Sequence, residues 1–317
     1  MTHFNKMDYD EQITHLSTFA KQAATFYGLQ PHPVLIVYTN NAVFRIGDVA
    51  LRIHRPGHKP LKWIESEQVW LRFLHSCHAP TFNVPKPLDG IYIGALAGVD
   101  EAVYATAYHW IAGTTQQIED LTPDALYRIG QLAAQLHTCA DQFTPPANFE
   151  RPRYDWDGLF GEQSPYHPGE AGMRLFTDQQ LQIIQDATQT IQQAMARQTH
   201  QFGMIHGDLI AKNILFDGEA IGLVDFDDCA FGYYLYDLTP LLWLSRGTAR
   251  YLTIKEALWA GYTAIRPAVD ATDLDTFVAA RHIASIRWVA SNAAHPSLRD
   301  KAQTIINQRL DELLIGF

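Results

Sequence analysis

Between Met204 and Phe216 the chain reads Met-Ile-His-Gly-Asp-Leu-Ile-Ala-Lys-Asn-Ile-Leu-Phe, an apolar run into which His206, Asp208 and Asn213 are set. Asp217-Gly218 then supplies a hairpin turn, and the returning run Ala220 to Val224 ends in Asp225-Phe226-Asp227-Asp228. Folding about Gly218 and Glu219 places residue 213 opposite about residue 224. Asn213 and Asp225 therefore meet at the open end of the hairpin, beside the loop that carries Asp208. Two carboxylates and an amide carbonyl make an oxygen-rich site suited to a hard cation such as Mg²⁺, whose usual counter-ligand is a nucleotide polyphosphate. Asp208, on a loop rather than a strand, is placed to accept a proton from an attacking hydroxyl. Any one of these residues alone is more often a turn former or a cap. Their conjunction points to phosphoryl transfer from ATP.

Other elements must hold this hairpin in place. Val34 to Tyr38, Ala42 to Ile46 and Val49 to Ile53 read as three antiparallel strands, turning at Thr39-Asn40-Asn41 and Gly47-Asp48. The first 27 residues form an amphipathic helix. A second helix runs from Leu61 to about Cys77, with Trp63, Val69, Trp70, Phe73 and Leu74 on its buried face. A further hairpin pairs Ile91–Ile93 with Ala102–Tyr108. After His109 the periodicity becomes helical: Thr122 to Thr138, Asp178 to Arg197, Leu252 to Ile265, Asp273 to Ser291 and Leu298 to Leu314, with Thr122 an N-cap ahead of an N1 proline. The stretches 143–177 and 203–233 break that pattern. The fold class is α+β with two lobes, a small antiparallel sheet carrying one main helix and a larger, mainly helical lobe. The boundary falls near residues 105–113, giving lobes of 1–107 and 108–317.

Composition narrows the function classes. The 317 residues, 47% hydrophobic and 18% charged, are those of a globular protein large enough for two domains. The net charge of −10 is uneven: residues 1–107 carry nine Lys or Arg and nine Asp or Glu, residues 108–317 carry fifteen and twenty-five. The acidic excess reads first as a solvated surface and, more sharply, as a site for a cationic acceptor. It argues against a nucleic-acid partner, which needs a basic face. No apolar run is long enough to span a bilayer and no signal peptide is evident, so the expected location is cytoplasmic, with no membrane partner. Cys77, Cys139 and Cys229 are widely separated, form no CxxC pair and leave one over, which points to neither a disulfide framework nor a zinc site. The fourteen histidines are scattered without metal-binding spacing.

The stretch HGDLIAKN followed by VDFDD resembles the catalytic-loop and metal-binding signatures of the aminoglycoside phosphotransferase family. That family is a branch of the protein-kinase-like fold that includes choline, homoserine and stress-response kinases. The resemblance implies that Asp208 is the catalytic base, that Asn213 and Asp225 hold Mg²⁺, and that His206 supports the loop. It makes Asp237 a structural anchor and leaves Asp227 either assisting at the site or lying solvated with Asp228. It also places Arg52, in Val49-Ala50-Leu51-Arg52, where kinases carry the β3 lysine, against the nucleotide phosphates. Arginine keeps the charge but reaches differently. Its acidic helix partner is Glu65 or Glu67, and the spacing favours Glu67. No GxGxxG lies between the first strands; Asn40 and Asn41 occupy that turn and can adopt the conformation glycine normally supplies. The adenine is expected against the linker near Thr106 to His109.

The acceptor is read from what is missing. Gly207 replaces the arginine and Ile210 the lysine of the protein-kinase catalytic loop, and eleven residues separate Asp225 from Asp237. That leaves little room for a peptide-docking segment. A small-molecule alcohol, such as an amino alcohol, aminoglycoside or sugar, is the first choice. A protein serine/threonine kinase of the bacterial stress-response type is the runner-up, and a nucleotide-binding pseudokinase the third reading. In the segment Arg151 to Gly161, Asp155 and Trp156 are candidates for contact with the acceptor, although packing on the helical lobe accounts for that segment equally well.

Overall fold

The structure is a computed structural model that describes residue 4 and residues 7–314, apart from 40, 78–80, 163, 165, 268–269, 295–297 and 299. Helix α1 (Tyr9–Phe26) opens with a capping box, Asp8 accepting from the amide of Glu11 while Glu11 reaches back. Strands β1 (Val34–Tyr38), β2 (Ala42–Ile46) and β3 (Val49–Ile53) follow, then α2 (Leu61–Ser76), β4 (Tyr92–Gly94) and β5 (Val103–His109). The five strands make one antiparallel sheet in the order β1-β2-β3-β5-β4. Side-chain alternation divides its faces. Phe44, Leu51, Ile53, Ala105 and Ala107 bury against Leu16, Phe19, Ala20 and Ala23 of α1. Arg52, Thr106 and Tyr108 alternate to the other face, where α2 packs.

Helix α2 settles at a different rotation from the one its hydrophobic pattern implies. Val69 is exposed, whereas Ile64, Glu67, Gln68, Trp70, Leu71 and Leu74 are buried. The helix is covered on two sides, so its polar residues Glu67 and Gln68 are drawn in by Arg52 and Tyr108 rather than left in water.

The remaining chain is α3 (Pro123–Ala140), β6 (Arg153–Tyr154), α4 (Trp156–Phe160), α5 (Gly169–Met173), α6 (Asp178–Arg197), β7 (Phe202–Ile205), β8 (Ile214–Asp217), β9 (Ala220–Leu223), β10 (Ala230–Tyr233), α7 (Tyr234–Asp237), α8 (Thr239–Ser245), α9 (Tyr251–Thr263), α10 (Leu274–Ser291) and α11 (Ala302–Leu314). Thr122 caps α3 by accepting from the Ala125 amide, ahead of Pro123. Helices α3 and α9 cross so closely that a Cβ on Gly130 would meet the backbone of Leu258, so only glycine fits there. Strand β10 pairs with β6 on one side and β7 on the other, while β8 and β9 form the separate hairpin. Helix α11 begins at Ala302 rather than Leu298.

The cysteine expectation is corrected. Cys77, just past α2, and Cys139, near the end of α3, are joined as a disulfide with their Cα atoms 6.1 Å apart. Residues that the sequence holds 62 positions apart become neighbours because the core brings α2 and α3 together. Cys229 is free and buried. No described helix is long and apolar enough to cross a membrane.

Candidate active site

The β8–β9 hairpin has the register its turn implies. Asp217 pairs with Ala220 and Ile214 with Leu223, and the amide of Val224 donates to the carbonyl of Asn213 at 2.9 Å. Asn213 and Asp225 thus stand at the open end of the hairpin. The side-chain amide of Asn213 donates to the main-chain carbonyl of Asp208 at 2.9 Å and lies 3.3 Å from its carboxylate. An amide that turns its nitrogen this way leaves its oxygen, the hard donor, facing away from Asp208. No hydrogen bond among the described residues engages that oxygen or the Asp225 carboxylate. This donor set of one amide oxygen and one carboxylate suits an oxygen-seeking divalent cation.

Asp225 has φ 67°, and it is the sole non-glycine residue with positive φ among those described. Such a backbone costs free energy and persists where surrounding structure imposes it. Here β9 leads directly into the short 3₁₀ turn Phe226–Asp228, and the reversal at Asp225 redirects its carboxylate out of the strand.

The loop bearing Asp208 is fixed from below by Asp237. One oxygen of Asp237 accepts from the amide of His206 at 2.9 Å and the other from Gly207 at 2.7 Å, while His137 adds a contact at 3.1 Å. Burial alone would raise the Asp237 carboxyl; the hydrogen bond from His137, with the nearby imidazoles and the His206 amide, holds it below the usual range. His206 lies 3.0 Å from the Val224 carbonyl, tying the loop to the end of β9. Gly207 has φ 82°, and a Cβ there would collide with the Asp228 backbone. Packing thus accounts for glycine at the position where protein kinases place arginine.

On the sheet side, Arg52 donates to Glu67 Oε1 at 2.5 Å and to the Tyr108 hydroxyl at 2.6 Å. Gln68 donates to the same hydroxyl at 2.8 Å. Burial opposes the Arg52 charge, but Glu67, with Tyr108 and Asp227, outweighs it, and the guanidinium holds its proton more tightly than usual. Its other nitrogen lies 3.8 Å from Asp225 Oδ1. Glu67, not Glu65, is the partner: Glu65 faces outward and pairs with Lys62 at 3.6 Å.

Lys59, between β3 and α2, reaches across to Asp227 Oδ2 and Asp228 Oδ1, each at 2.8 Å. Burial works against ionising Asp227, but Lys59 and then Arg52 prevail and hold its carboxyl well below the usual range. Arg151 donates to the carbonyls of Cys229 and Asp227, each at 2.6 Å, and to Trp63 at 3.1 Å, fastening the turn after Asp225 from beneath.

Arg281 of α10 completes the surroundings of Asp208, donating to its Oδ1 at 2.9 Å. Neither Arg281 nor Lys59 carries a sequence signal of its role, since each arrives from an unrelated element. Tyr108 and Arg151 are equally silent in the chain.

The remaining candidate residues lie variously. Asn40 is outside the described residues. The carboxamide oxygen of Asn41 accepts from the Arg55 amide at 3.1 Å. Thr106 is fully buried in β5 and its hydroxyl meets His54 at 2.9 Å, while the amide of His109 is already given to the Lys86 carbonyl. Asp155 caps α4 and pairs with Arg153 at 2.7 Å; Trp156 lies against Phe160 with ring centres 5.2 Å apart. It is their neighbour Tyr154, buried in β6, that sits beside Gly207.

A family model for the phosphotransferase enzyme family matches residues 33–271, and the chain belongs to that family. The fold and the relatives are those of a kinase. Bovine (Bos taurus) hydroxylysine kinase is 25% identical over 226 residues, 64% of this chain and 58% of that protein, so the chain spans little more than half the bovine enzyme. A microcompartment-associated aminopropanol kinase superposes with a TM-score of 0.77 at 25% identity, covering 92% of this chain and 95% of that one. An amicoumacin kinase solved with AMP-PNP and Ca²⁺ gives 0.74 at 16% identity over 96% of each chain.

Proposed function

We propose that this chain transfers the γ-phosphoryl group of ATP to a hydroxyl of a small molecule, with residues 1–107 gripping the nucleotide and 108–317 the acceptor. Asp208 takes the proton from the attacking hydroxyl, and Asn213 with Asp225 holds Mg²⁺. Bound there, the cation neutralises charge on the nucleotide phosphates. Arg52, kept in place by Glu67 and Tyr108, adds a fixed positive charge 3.8 Å from Asp225. The carrying observation is that Asn213 hydrogen-bonds the Asp208 loop while its own strand pairs toward Asp225. Base and cation site are thereby coupled through one side chain. The aminopropanol and hydroxylysine kinases among the relatives support a small, hydroxyl-bearing acceptor. The eleven residues after Asp225 also support it, because they form a short turn, β10 and α7 against the core, leaving no extended segment for a peptide.

The test is transfer of labelled γ-phosphate across amino alcohols, hydroxy amino acids, aminoglycosides, sugars and a generic protein substrate. Transfer to at least one small molecule, lost in Asp208→Asn, is expected. Label on the protein substrate alone, or equal transfer by Asp208→Asn, would overturn the reading.

A further inference from the structure

We propose that the Cys77–Cys139 disulfide is a positioning device for the nucleotide. Closed, it fixes the end of α2 to α3 and so holds Glu67 and Arg52 in place; opened by a small thiol, it loosens the grip on Mg²⁺-ATP. The inference rests on the proposed use of ATP and adds a thiol-sensitive control of that same site.

Helix α2 belongs to both lobes. Toward the sheet, Glu67 accepts from Arg52 at 2.5 Å and Gln68 donates to the Tyr108 hydroxyl at 2.8 Å. Toward the helical lobe, Trp70, Leu71 and Leu74 join the core around α3, and the Phe143 ring lies 5.0 Å from Trp70 and 4.9 Å from Phe73. Arg52 in turn stands 3.8 Å from Asp225, which the other lobe supplies. The seat of α2 therefore sets how the sheet's fixed cation meets the candidate metal site.

The bridge has one firm end and one loose one. In α3, Leu132, Ala133, Leu136 and Cys139 are buried, and Gly130 packs on the backbone of α9. In the last turn of α2, by contrast, His75 and Ser76 are exposed and Leu74 alone is fully buried. Cys77 follows directly, ten residues beyond Glu67, or about 15 Å along a helix at 1.5 Å per residue. A shift at the bridge is carried along that stiff rod to the Glu67–Arg52 pair. Past the bridge, Thr81 and Gln135 exchange hydrogen bonds and Asn83 pairs with Gly222 of β9. Opening the disulfide thus loosens α2 without releasing it.

The two sulfurs differ in access. Cys139 is fully buried and Cys77 partly exposed, so a thiolate from solution attacks the Cys77 sulfur. The S–S bond breaks, Cys139 leaves with the electron pair and takes a proton, and a mixed disulfide forms on Cys77. A second thiol then displaces Cys77, which also takes a proton, and departs with the first as a disulfide. Two electrons and two protons pass from the thiols to the chain. A low-molecular-weight disulfide such as oxidised glutathione runs the exchange backwards. Cys229, free and buried, takes no part.

The experiment measures affinity for AMP-PNP with Mg²⁺ by titration calorimetry, and the kinetics of phosphate transfer, with and without dithiothreitol. On reduction the native chain is expected to lose about 3- to 10-fold in nucleotide affinity, as if the paired arrangement of Arg52 were populated roughly a third to a tenth of the time. Oxidised glutathione should restore it. KM for ATP should move in parallel, while kcat and the acceptor KM stay within about twofold, the split that separates nucleotide binding from general damage. Cys77→Ser and Cys139→Ala should each match the reduced native chain and ignore dithiothreitol; if either does not fold, the native chain with and without the reagent decides. Free Cys77 and Cys139 thiols after oxidised glutathione, read by alkylation and peptide mass, overturn the inference. So does a lower melting temperature on reduction with unchanged AMP-PNP affinity well below it, which leaves the bridge a structural staple. Thiol-sensitive AMP-PNP binding without transfer to any acceptor supports the inference and overturns the kinase reading alone.

Discussion

The side-chain amide of Asn213 is 2.9 Å from the carbonyl of Asp208 and 3.3 Å from its carboxylate, so one residue orients the candidate base while presenting its oxygen to the candidate cation site. Replacing Asn213 by Asp keeps an oxygen donor but sets a second carboxylate against Asp208, exchanging a hydrogen bond for repulsion. We expect kcat for Asn213→Asp to fall at least about 100-fold, the usual scale of a misplaced general base, and to stay low across a Mg²⁺ titration. Full recovery at high Mg²⁺ would restrict Asn213 to metal binding.

Arg52 and Glu67 are both buried and joined at 2.5 Å. Removing one partner leaves an uncompensated buried charge, so Arg52→Met should lower unfolding free energy by about 3–5 kcal/mol. Adding Glu67→Met should return most of that stability without restoring phosphate transfer. Urea titration of the single and double variants separates the two effects, and a double variant as unstable as the single would show that the pair is not isolated.

Asp225 sits at φ 67°, where glycine is at ease and aspartate is not. Asp225→Gly should therefore fold with unchanged or slightly raised stability, gaining at most about 1 kcal/mol from relief of the backbone, and lose transfer altogether. A clear drop in melting temperature would mean that the carboxylate, rather than the chemistry, holds the turn.

His282 on α10 is fully buried, and burial first, then Arg246, pushes its imidazole down to about 4. Arg309 lies close, and Glu312 is 3.8 Å away. The folded chain favours the neutral ring, whereas the unfolded chain binds a proton below about 6.5. Stability from this residue is thus complete above pH 6.5 and is lost as pH falls toward 4, amounting to about 2 kcal/mol by pH 5. Urea unfolding of native chain and His282→Leu at pH 7.5 and 5 should show a smaller acid-induced loss in the variant; parallel losses would assign the acid sensitivity elsewhere.

Much of this protein is written locally. The strands Val34–Tyr38, Ala42–Ile46 and Val49–Ile53 and the helix Asp178–Arg197 have the bounds that their periodicity and turn residues imply, because alternation, capping and tight turns act over a few positions. The hairpin that sets Asn213 near Asp225 belongs here too, its register following from a two-residue turn at Gly218-Glu219. The tertiary structure decided what depends on neighbours far along the chain. It rotated α2 so that Val69 faces water and Glu67 meets Arg52, and it brought Cys77 to Cys139. It also delivered Lys59 to Asp227 and Arg281 to Asp208, across 168 and 73 residues. A lone lysine in a loop or arginine on a helix reads as surface charge in any sequence. Only the packing of α10 beside the catalytic loop makes Arg281 a neighbour of the candidate base.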